Sequence, residues 1–497
     1  MIQGTGSHVG KSVLVAALCR IFADRGVRVA PFKAQNMALN SFITREGGEI
    51  GRAQAFQAFA AGILPSVHMN PILLKPSSDT GSQVIVHGKV HGNMDARTYH
   101  FEKENLREKV RESLEILKEQ FDLILIEGAG SPAEINLKDH DLVNMGAAKM
   151  AHAPVLLVGD IDRGGVFASL YGTIALLDED ERPYFKGMII NKFRGDVSLL
   201  EPGLAMIEER TSVPVLGVIP YFHDLYLPEE DSVGLCRKMG TLDGAIRIGI
   251  VRLSHISNFT DFDVLSMEPE VSVEYIDPGE SLGDLDAVII PGSKNTLTDL
   301  HYLRESGLDR RIIAFAEGGG TVVGLCGGYQ ILGKTIRDPD HVESTLESIE
   351  GLGLLDTDTV MAPEKTTTLD VACRIDGDPA ERLEGYEIHM GVTRRGDGVR
   401  PLFRIISRND QPCDVEDGAV NDRGNVWGTY LHGIFDNDTF RHDFLNALRE
   451  DRGLAPLPRA GVFYKRRLLE SVAELARTVG EALDMGRIER IIRRGLD

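Results

Sequence analysis

The sequence predicts an α/β protein built as two parallel-sheet domains in tandem, the first of them doubly wound. Three observations carry this expectation. Short apolar runs rich in Val, Ile and Leu alternate with helical patterns, as strands covered by helices on both faces must. A glycine-rich stretch from Gly4 to Ser12 joins a short first strand to a helix. A second strand, Thr321 to Leu325, runs into a cysteine among glycines and then into another helical pattern. With 497 residues the chain exceeds what one core organises. We expect residues 1–222 to form the first domain, the acidic, turn-rich stretch 223–245 a linker, 246–441 the second domain and 442–497 an Arg-rich helical tail.

Composition narrows the class of function. At 42% hydrophobic and 26% charged the chain reads as soluble and globular, and no apolar run approaches the ~20 residues of a membrane span. A start at Met1-Ile2-Gln3 leads us to expect no signal peptide and a cytoplasmic location. The five cysteines, at 19, 236, 326, 373 and 413, are scattered without C-x-x-C spacing, which argues against a disulfide framework or structural zinc. A net charge of −21 argues against nucleic acid as a partner. An anionic substrate would need basic groups gathered locally.

In the first half, Gly4-Thr5-Gly6-Ser7-His8-Val9-Gly10-Lys11-Ser12 has the makings of a phosphate cradle. Backbone N–H groups and the helix start face phosphate oxygens, Lys11 reaches the outer phosphates and the Ser12 hydroxyl can ligate Mg²⁺. Val27 to Phe32 reads as the next strand, and Lys33, leaving its carboxyl end, is a candidate for holding an acidic substrate. The segments 70–76 and 81–86, with their prolines and glycines, read as irregular loops. A helix over 106–119 precedes the strand Phe121 to Ile126, after which Glu127 stands where an acid could hold Mg²⁺ directly or through water. Strands at 155–160, 188–192 and 213–220 complete the sheet. Asp160 and Asp162 cluster at one strand end; Asn191, at another, either reads an adenine edge or is structural.

The second half turns on Gly324-Leu325-Cys326-Gly327-Gly328, a nucleophile elbow written with a thiol. Cys326 at a helix N-terminus would be favoured as thiolate, with the N–H of Gly327 aimed at a developing oxyanion. The loop Pro291-Gly292-Ser293 follows the strand Ala287 to Ile290 and would complete the oxyanion hole through Gly292. His432, after the strand beginning at Val426, is the expected base for Cys326, and His389 is its rival. Such a pair attacks an amide carbonyl and passes through a thioester.

These motifs carry a resemblance. The long loop G-T-x-[ST]-x-x-G-K-[ST] is that of the dethiobiotin synthetase-like P-loop proteins, and the second half looks like a class I glutamine amidotransferase. Through GTGSHVGKS, FKAQNMALNS, MNPILLKP, EGAGSPAEINL, DIDRGGVFA, ISNFTDFD, PGSKNTL, LCGGYQILG, GYEIHMG and GTYLHGIFDN, the chain from residue 1 to about 445 resembles the cobyric acid synthase family. The resemblance implies ATP and Mg²⁺ as cofactors. It also implies a glutaminase whose ammonia amidates carboxylates of adenosylcobyrinic acid a,c-diamide, activated as acyl phosphates. The partners are then small molecules, a corrinoid acid, L-glutamine and ATP, with no membrane and with a homo-oligomer admitted. Asp139 and Asp141 could position the corrin carboxylate or ammonia, or be solvated loop acids. One departure stands out: amidotransferases commonly carry a glutamate two residues after the histidine, where this chain has Ile434, so Glu387 is the stand-in for orienting His432. An amidoligase acting on another acid, such as cobyrinic acid a,c-diamide or a cell-wall glutamate, is the alternative. A partitioning-type ATPase carrying an inert amidotransferase module is the reading from another class.

Overall fold

The computed structural model describes residues 1–76, 81–138, 141–222, 238–240, 244–378, 380–457 and 463–497. The first sheet is parallel: Ile2–Gly4, Val155–Asp160, Phe185–Phe193 and Val215–Pro220 pair in that order. Val29–Phe32 and Leu123–Ile126 extend it through the bridge between Ile2 and Glu127. Helices cover both faces, and the strand interiors are fully buried, which is why they read as unbroken apolar runs. The segments expected to be irregular are ordered strands instead: Ile72–Pro76 and Gly81–Val86 pair antiparallel, with Gln35–Met37 and Lys89–Asp95 as their outer neighbours. Their prolines and glycines fall at strand ends, while Ile72, Leu73, Val84 and Ile85 are buried between. Tertiary burial there outweighs local turn chemistry.

The second sheet has five parallel strands at its centre, Val271–Ile276, Ile246–Val251, Ala287–Ile290, Thr321–Leu325 and Val426–Thr429, flanked by antiparallel ones. One of these, Lys238–Gly240, lies within the stretch expected as linker and pairs with Val271–Ile276, so part of that stretch is sheet. The remainder of 223–243 lies outside the described residues. A long hairpin, Thr357–Arg374 with Leu383–Arg395, belongs to a separate sheet that also holds Thr335–Arg337, Phe403–Arg408 and Gln411–Asp417; it passes over the cysteine and reaches the first domain, where the Thr367 hydroxyl donates to the Gly47 carbonyl.

The tail is helical from Asp438, in Asp438–Asp451, Tyr464–Ala482 and Met485–Arg494. It does not trail away. Leu475, Ala476, Val479, Leu483 and Ile488 complete the core around the helix Lys11–Asp24, so the chain's last helices close the first domain's interior. Among the described residues no helix is long and apolar enough to cross a membrane.

Candidate active site

The strand Thr321–Leu325 ends at Cys326, which takes φ 52°, ψ −109° before the helix Gly327–Leu332 begins. A non-glycine residue there stores of order 1–3 kcal/mol of strain, held because the surroundings leave no alternative. The elbow is packed to contact, since a Cβ at Gly328 would stand 1.9 Å from the Ile290 carbonyl oxygen. Both residues after Cys326 therefore have to be small.

His432 leaves the neighbouring strand Val426–Thr429, fully buried and close enough to Cys326 to feel its charge, while the thiol itself donates to the Ile388 carbonyl at 3.4 Å. Its Nδ1 lies 2.6 Å from Asp261 Oδ2, and the other carboxylate oxygen accepts the Gly433 N–H at 3.0 Å. Burial pulls the imidazole's pKa down, but the Asp261 carboxylate and, once it is ionised, the Cys326 thiolate outweigh it and raise it, so the ring takes up its charge as the thiol gives up its proton. A buried carboxylate that fixes the Nδ1 tautomer leaves Nε2 for the thiol proton. Glu387, the expected orienting group, is elsewhere: it meets Arg408 at 2.6 Å and Thr368 at 3.3 Å. Ile434 is buried in a short turn packed beneath the histidine, so the orienting acid comes from a different element. His389 lines the same cavity, yet it stacks on Tyr430 at 3.7 Å and turns Nδ1 toward the Gly391 carbonyl oxygen. Burial lowers its pKa to about 3, and among the described residues no carboxylate hydrogen-bonds to it.

Gly292 sits beside His432, where a Cβ would come 3.3 Å from the ring's Cε1. It pairs with Ser257 in an antiparallel ladder whose next rung is the Lys294 N–H on the His255 carbonyl at 2.9 Å. The alternation of such a ladder assigns the Gly292 N–H to Ser257 and turns the Ser293 N–H the other way, toward Gly327, whose Cβ would stand 2.8 Å from it. Ser293, one residue beyond the expected Gly292, is the better partner for Gly327. The cavity at Cys326 measures about 30 Å³ and is walled by Lys75, Lys294, Lys365 and Glu343. Lys75 and Lys365 both bind Glu49, at 2.8 and 2.5 Å, so residues of the first domain close the second domain's site.

A far larger cavity, about 1010 Å³, opens over the loop 4–12. Lys11 Nζ donates to the carbonyls of Gly6 at 2.8 Å and Gly130 at 3.2 Å. Gly4 is required by the tight loop, since a Cβ would meet Val9 at 2.5 Å. The Thr5 N–H is bound to the Val158 carbonyl at 2.9 Å, so Thr5 anchors the loop to the sheet. Ser12 Oγ donates to Glu127 at 2.8 Å, and the buried Glu127 also accepts from Lys33 at 2.9 Å and Gln57 at 2.6 Å. Lys33 therefore faces Glu127 as well as the cavity. Asn191 donates to the Val9 carbonyl at 2.8 Å and presses on Gly10, where a Cβ would lie 2.2 Å from Nδ2; it props the loop from behind and is not part of the cavity wall. Asp141 accepts the N–H groups of Val143, Asn144 and Gly146, which binds it into the start of the helix Met145–Ala151 even though it borders the cavity. Asp139 lies outside the described residues. Asp160 and Asp162 pair with Lys192 and Arg194 at 2.9 Å each. Lys11, Lys33, Lys103, Arg107, Lys138, Lys149 and Lys192 line the cavity against four acids, a basic enclosure in an acidic chain.

The site fits a nucleotide and its metal on the chemistry of its donors. Ser12 and Glu127 bring hydroxyl and carboxylate oxygens within 2.8 Å of each other, the hard ligands Mg²⁺ takes, and Gln57 Oε1 is buried there without a partner.

Sequence found Cys326, Lys11, Ser12 and Glu127 through their flanking patterns. It missed Asp261, Asn258 and the Lys75–Glu49–Lys365 cluster, and in the loop Pro291-Gly292-Ser293 it chose Gly292 where the ladder favours Ser293. The one sign available for the first two was polar residues set between Phe259 and Phe262 in ISNFTDFD, a run too apolar to be an exposed loop.

Residues 1–233 match the CobQ/CobB/MinD/ParA nucleotide binding domain, and 247–440 the CobB/CobQ-like glutamine amidotransferase domain. Among curated proteins the chain is 52% identical to the cobyric acid synthase of Thermoanaerobacter sp. (strain X514), over 100% of this chain and 99% of that one. It is also 52% identical to those of Syntrophobacter fumaroxidans, over 99% and 98%, and Listeria innocua, over 99% and 96%. Identity at this level, sustained through both halves in the same order, makes the chain a member of the cobyric acid synthase family, glutamine amidotransferases of the CobB/CobQ kind.

Proposed function

We propose that this protein amidates side-chain carboxylates of adenosylcobyrinic acid a,c-diamide to give adenosylcobyric acid, consuming ATP and glutamine. The observation that carries this is the pairing of two sites: a buried thiol–imidazole–carboxylate array in one domain and a basic, nucleotide-sized cavity over a phosphate loop in the other. Cys326 gives its proton to His432 Nε2 and attacks the glutamine amide carbonyl. The N–H groups of Gly327 and Ser293 face the oxyanion, ammonia leaves, and water hydrolyses the thioester. Asp261 holds the imidazolium throughout.

A carboxylate resists attack by ammonia, so it is first converted to an acyl phosphate, a step that rests on positioning and charge neutralisation. Lys11 neutralises the transferring phosphoryl group and the loop's N–H groups hold its oxygens. Ser12 and Glu127 would hold Mg²⁺, which supplies further positive charge at the phosphates. Lys33 then has a double task, holding Glu127 in place and presenting a cation to the cavity. The remaining basic residues of the wall suit a substrate carrying several carboxylates.

The test is the nitrogen source. Cys326→Ser keeps the side chain's shape and removes its acidity, so glutamine-dependent amidation should fall at least ~10³-fold while ammonia-dependent amidation persists. Mass spectrometry of a corrinoid acid incubated with ATP, Mg²⁺ and either nitrogen source reads both. Normal turnover with glutamine would remove Cys326 from the mechanism; failure with ammonia in a folded variant would overturn the two-site division.

A further inference from the structure

His432 Nε2, the atom that must receive the thiol proton, has a second neighbour. Asn258 Nδ2 stands 3.2 Å from it. Asn258 is 2% exposed and adopts a left-handed backbone, φ 50°, ψ 39°, at the mouth of the turn that carries Asp261. Its amide cannot be placed either way round. The other end, Oδ1, accepts the N–H of Ser41 at 2.9 Å, and a backbone N–H can only donate, so the end facing His432 is the donor.

A donor at Nε2 is compatible with the neutral ring, whose Nδ1–H goes to Asp261, and incompatible with the imidazolium, whose Nε2 carries a proton of its own. Asp261 favours the charged ring and Asn258 opposes it. Which way the balance falls depends on Ser41, which belongs to the first domain. Ser41 follows the segment 33–40, in which Lys33, Gln35, Asn36 and Met37 line the nucleotide cavity and Lys33 is tied through Glu127 to Ser12 of the phosphate loop. The same segment is fastened a second time, since Asn40 Oδ1 accepts the Phe259 N–H at 3.0 Å. If Ser41 withdraws its N–H, the Asn258 amide is free to turn and offer Oδ1 to Nε2–H, which stabilises the imidazolium and with it the thiolate.

We propose that Asn258 is a positioning residue that keeps His432 Nε2 an acceptor until the segment 33–41 responds to occupancy of the nucleotide cavity, so that glutamine is opened in step with the synthetase half. Only one proton moves, from Cys326 Sγ to His432 Nε2, and no co-reactant is needed. The other charged or titratable groups facing His432 are Asp261, Cys326, His389, Tyr386 stacked at 5.3 Å, and, beyond the tyrosine, Arg52 and Asp436. Arg52 also comes from the first domain and reaches the Tyr386 hydroxyl at 3.4 Å, and Phe42 packs on the same ring, so the first domain touches the histidine's surroundings at Tyr386 as well as at Asn258.

The proposal rests on Cys326 and His432 being the glutaminase pair, and the experiment separates the two. Alkylation of Cys326 by iodoacetamide, followed by peptide mass spectrometry across pH, reports thiolate in the full-length protein without substrate. Asn258→Asp keeps the acceptor for Ser41 and replaces the donor by an acceptor. Its midpoint should move down by about one pH unit, roughly tenfold more thiolate on the acid side, and glutamine hydrolysis without ATP or corrinoid acid should rise. Asn258→Ala, should the aspartate variant fold poorly, removes the donor and should shift the midpoint in the same direction. In the wild type, adenylyl imidodiphosphate with the corrinoid acid should produce the shift, and in Asn258→Asp add little to it. An unchanged midpoint in both variants, even with lowered thermal stability, would overturn the proposal and reduce Asn258 to a structural tie. Glutamine hydrolysis surviving in Cys326→Ser would instead overturn the reading beneath it.

Discussion

Asp261 shows how a single side chain redistributes the proposed catalytic array. Where the amidotransferase pattern leads one to look two residues beyond the histidine, the chain has Ile434, and the carboxylate arrives from a turn 171 residues away in sequence. Asp261→Asn should leave the geometry near intact and disturb the tautomer, lowering kcat for glutamine hydrolysis by about 10²–10⁴ with KM for glutamine little changed; steady-state glutamate release measures both. His389→Phe, by contrast, should retain most of the glutaminase rate, because His389 is buried, neutral and engaged by Gly391 and Tyr430. The loop residues Cys326, Lys11 and Ser12 were legible because each needs small or turn-forming neighbours that a sequence displays. Asp261 and Ser293 were not, because their roles arise from how distant strands are stacked.

The hairpin Thr357–Arg374 with Leu383–Arg395 carries a strained element of another kind. Glu387, Asp370 and Asp417 are buried together around Arg408. Burial first, then the charges of Asp417 and Asp370, raise the Glu387 carboxyl from 4.5 to about 8, with Arg408 pulling the other way. A folded-state pKa above the unfolded value means stability fully present below pH 4.5 and lost as pH climbs through about 8. Glu387→Gln should therefore melt higher than wild type above pH 8 and lose that advantage as pH falls toward 4.5, by differential scanning fluorimetry across buffers. The strands at 155–160, 287–290 and 321–325 were legible to the residue, since continuous apolar runs have few alternatives. The antiparallel sheet holding Ile72–Pro76 and Gly81–Val86 was not: its prolines and glycines bound the strands, and read locally they resemble loop signals.

At the scale of the whole molecule, the two domains share the wall of the cavity at Cys326, and that wall is charged. Lys75 and Lys365 both bind the buried Glu49, and Lys294 lies beside them. The first two come from different domains, so this cluster forms only when the halves are docked. Its consequence concerns which form of nitrogen can travel. Burial pulls the Lys365 ammonium down to about 7 against the attraction of Glu49, so near neutral pH this is a lysine that carries its charge only part of the time. A charged Lys365 opposes ammonium and not uncharged ammonia, so on the proposed reaction any nitrogen that passes this wall is expected to do so as ammonia. Lys365→Met, which keeps the bulk and removes one charge, should let nitrogen escape: glutamate formed per amide made should climb above one, while synthesis from added ammonia is spared.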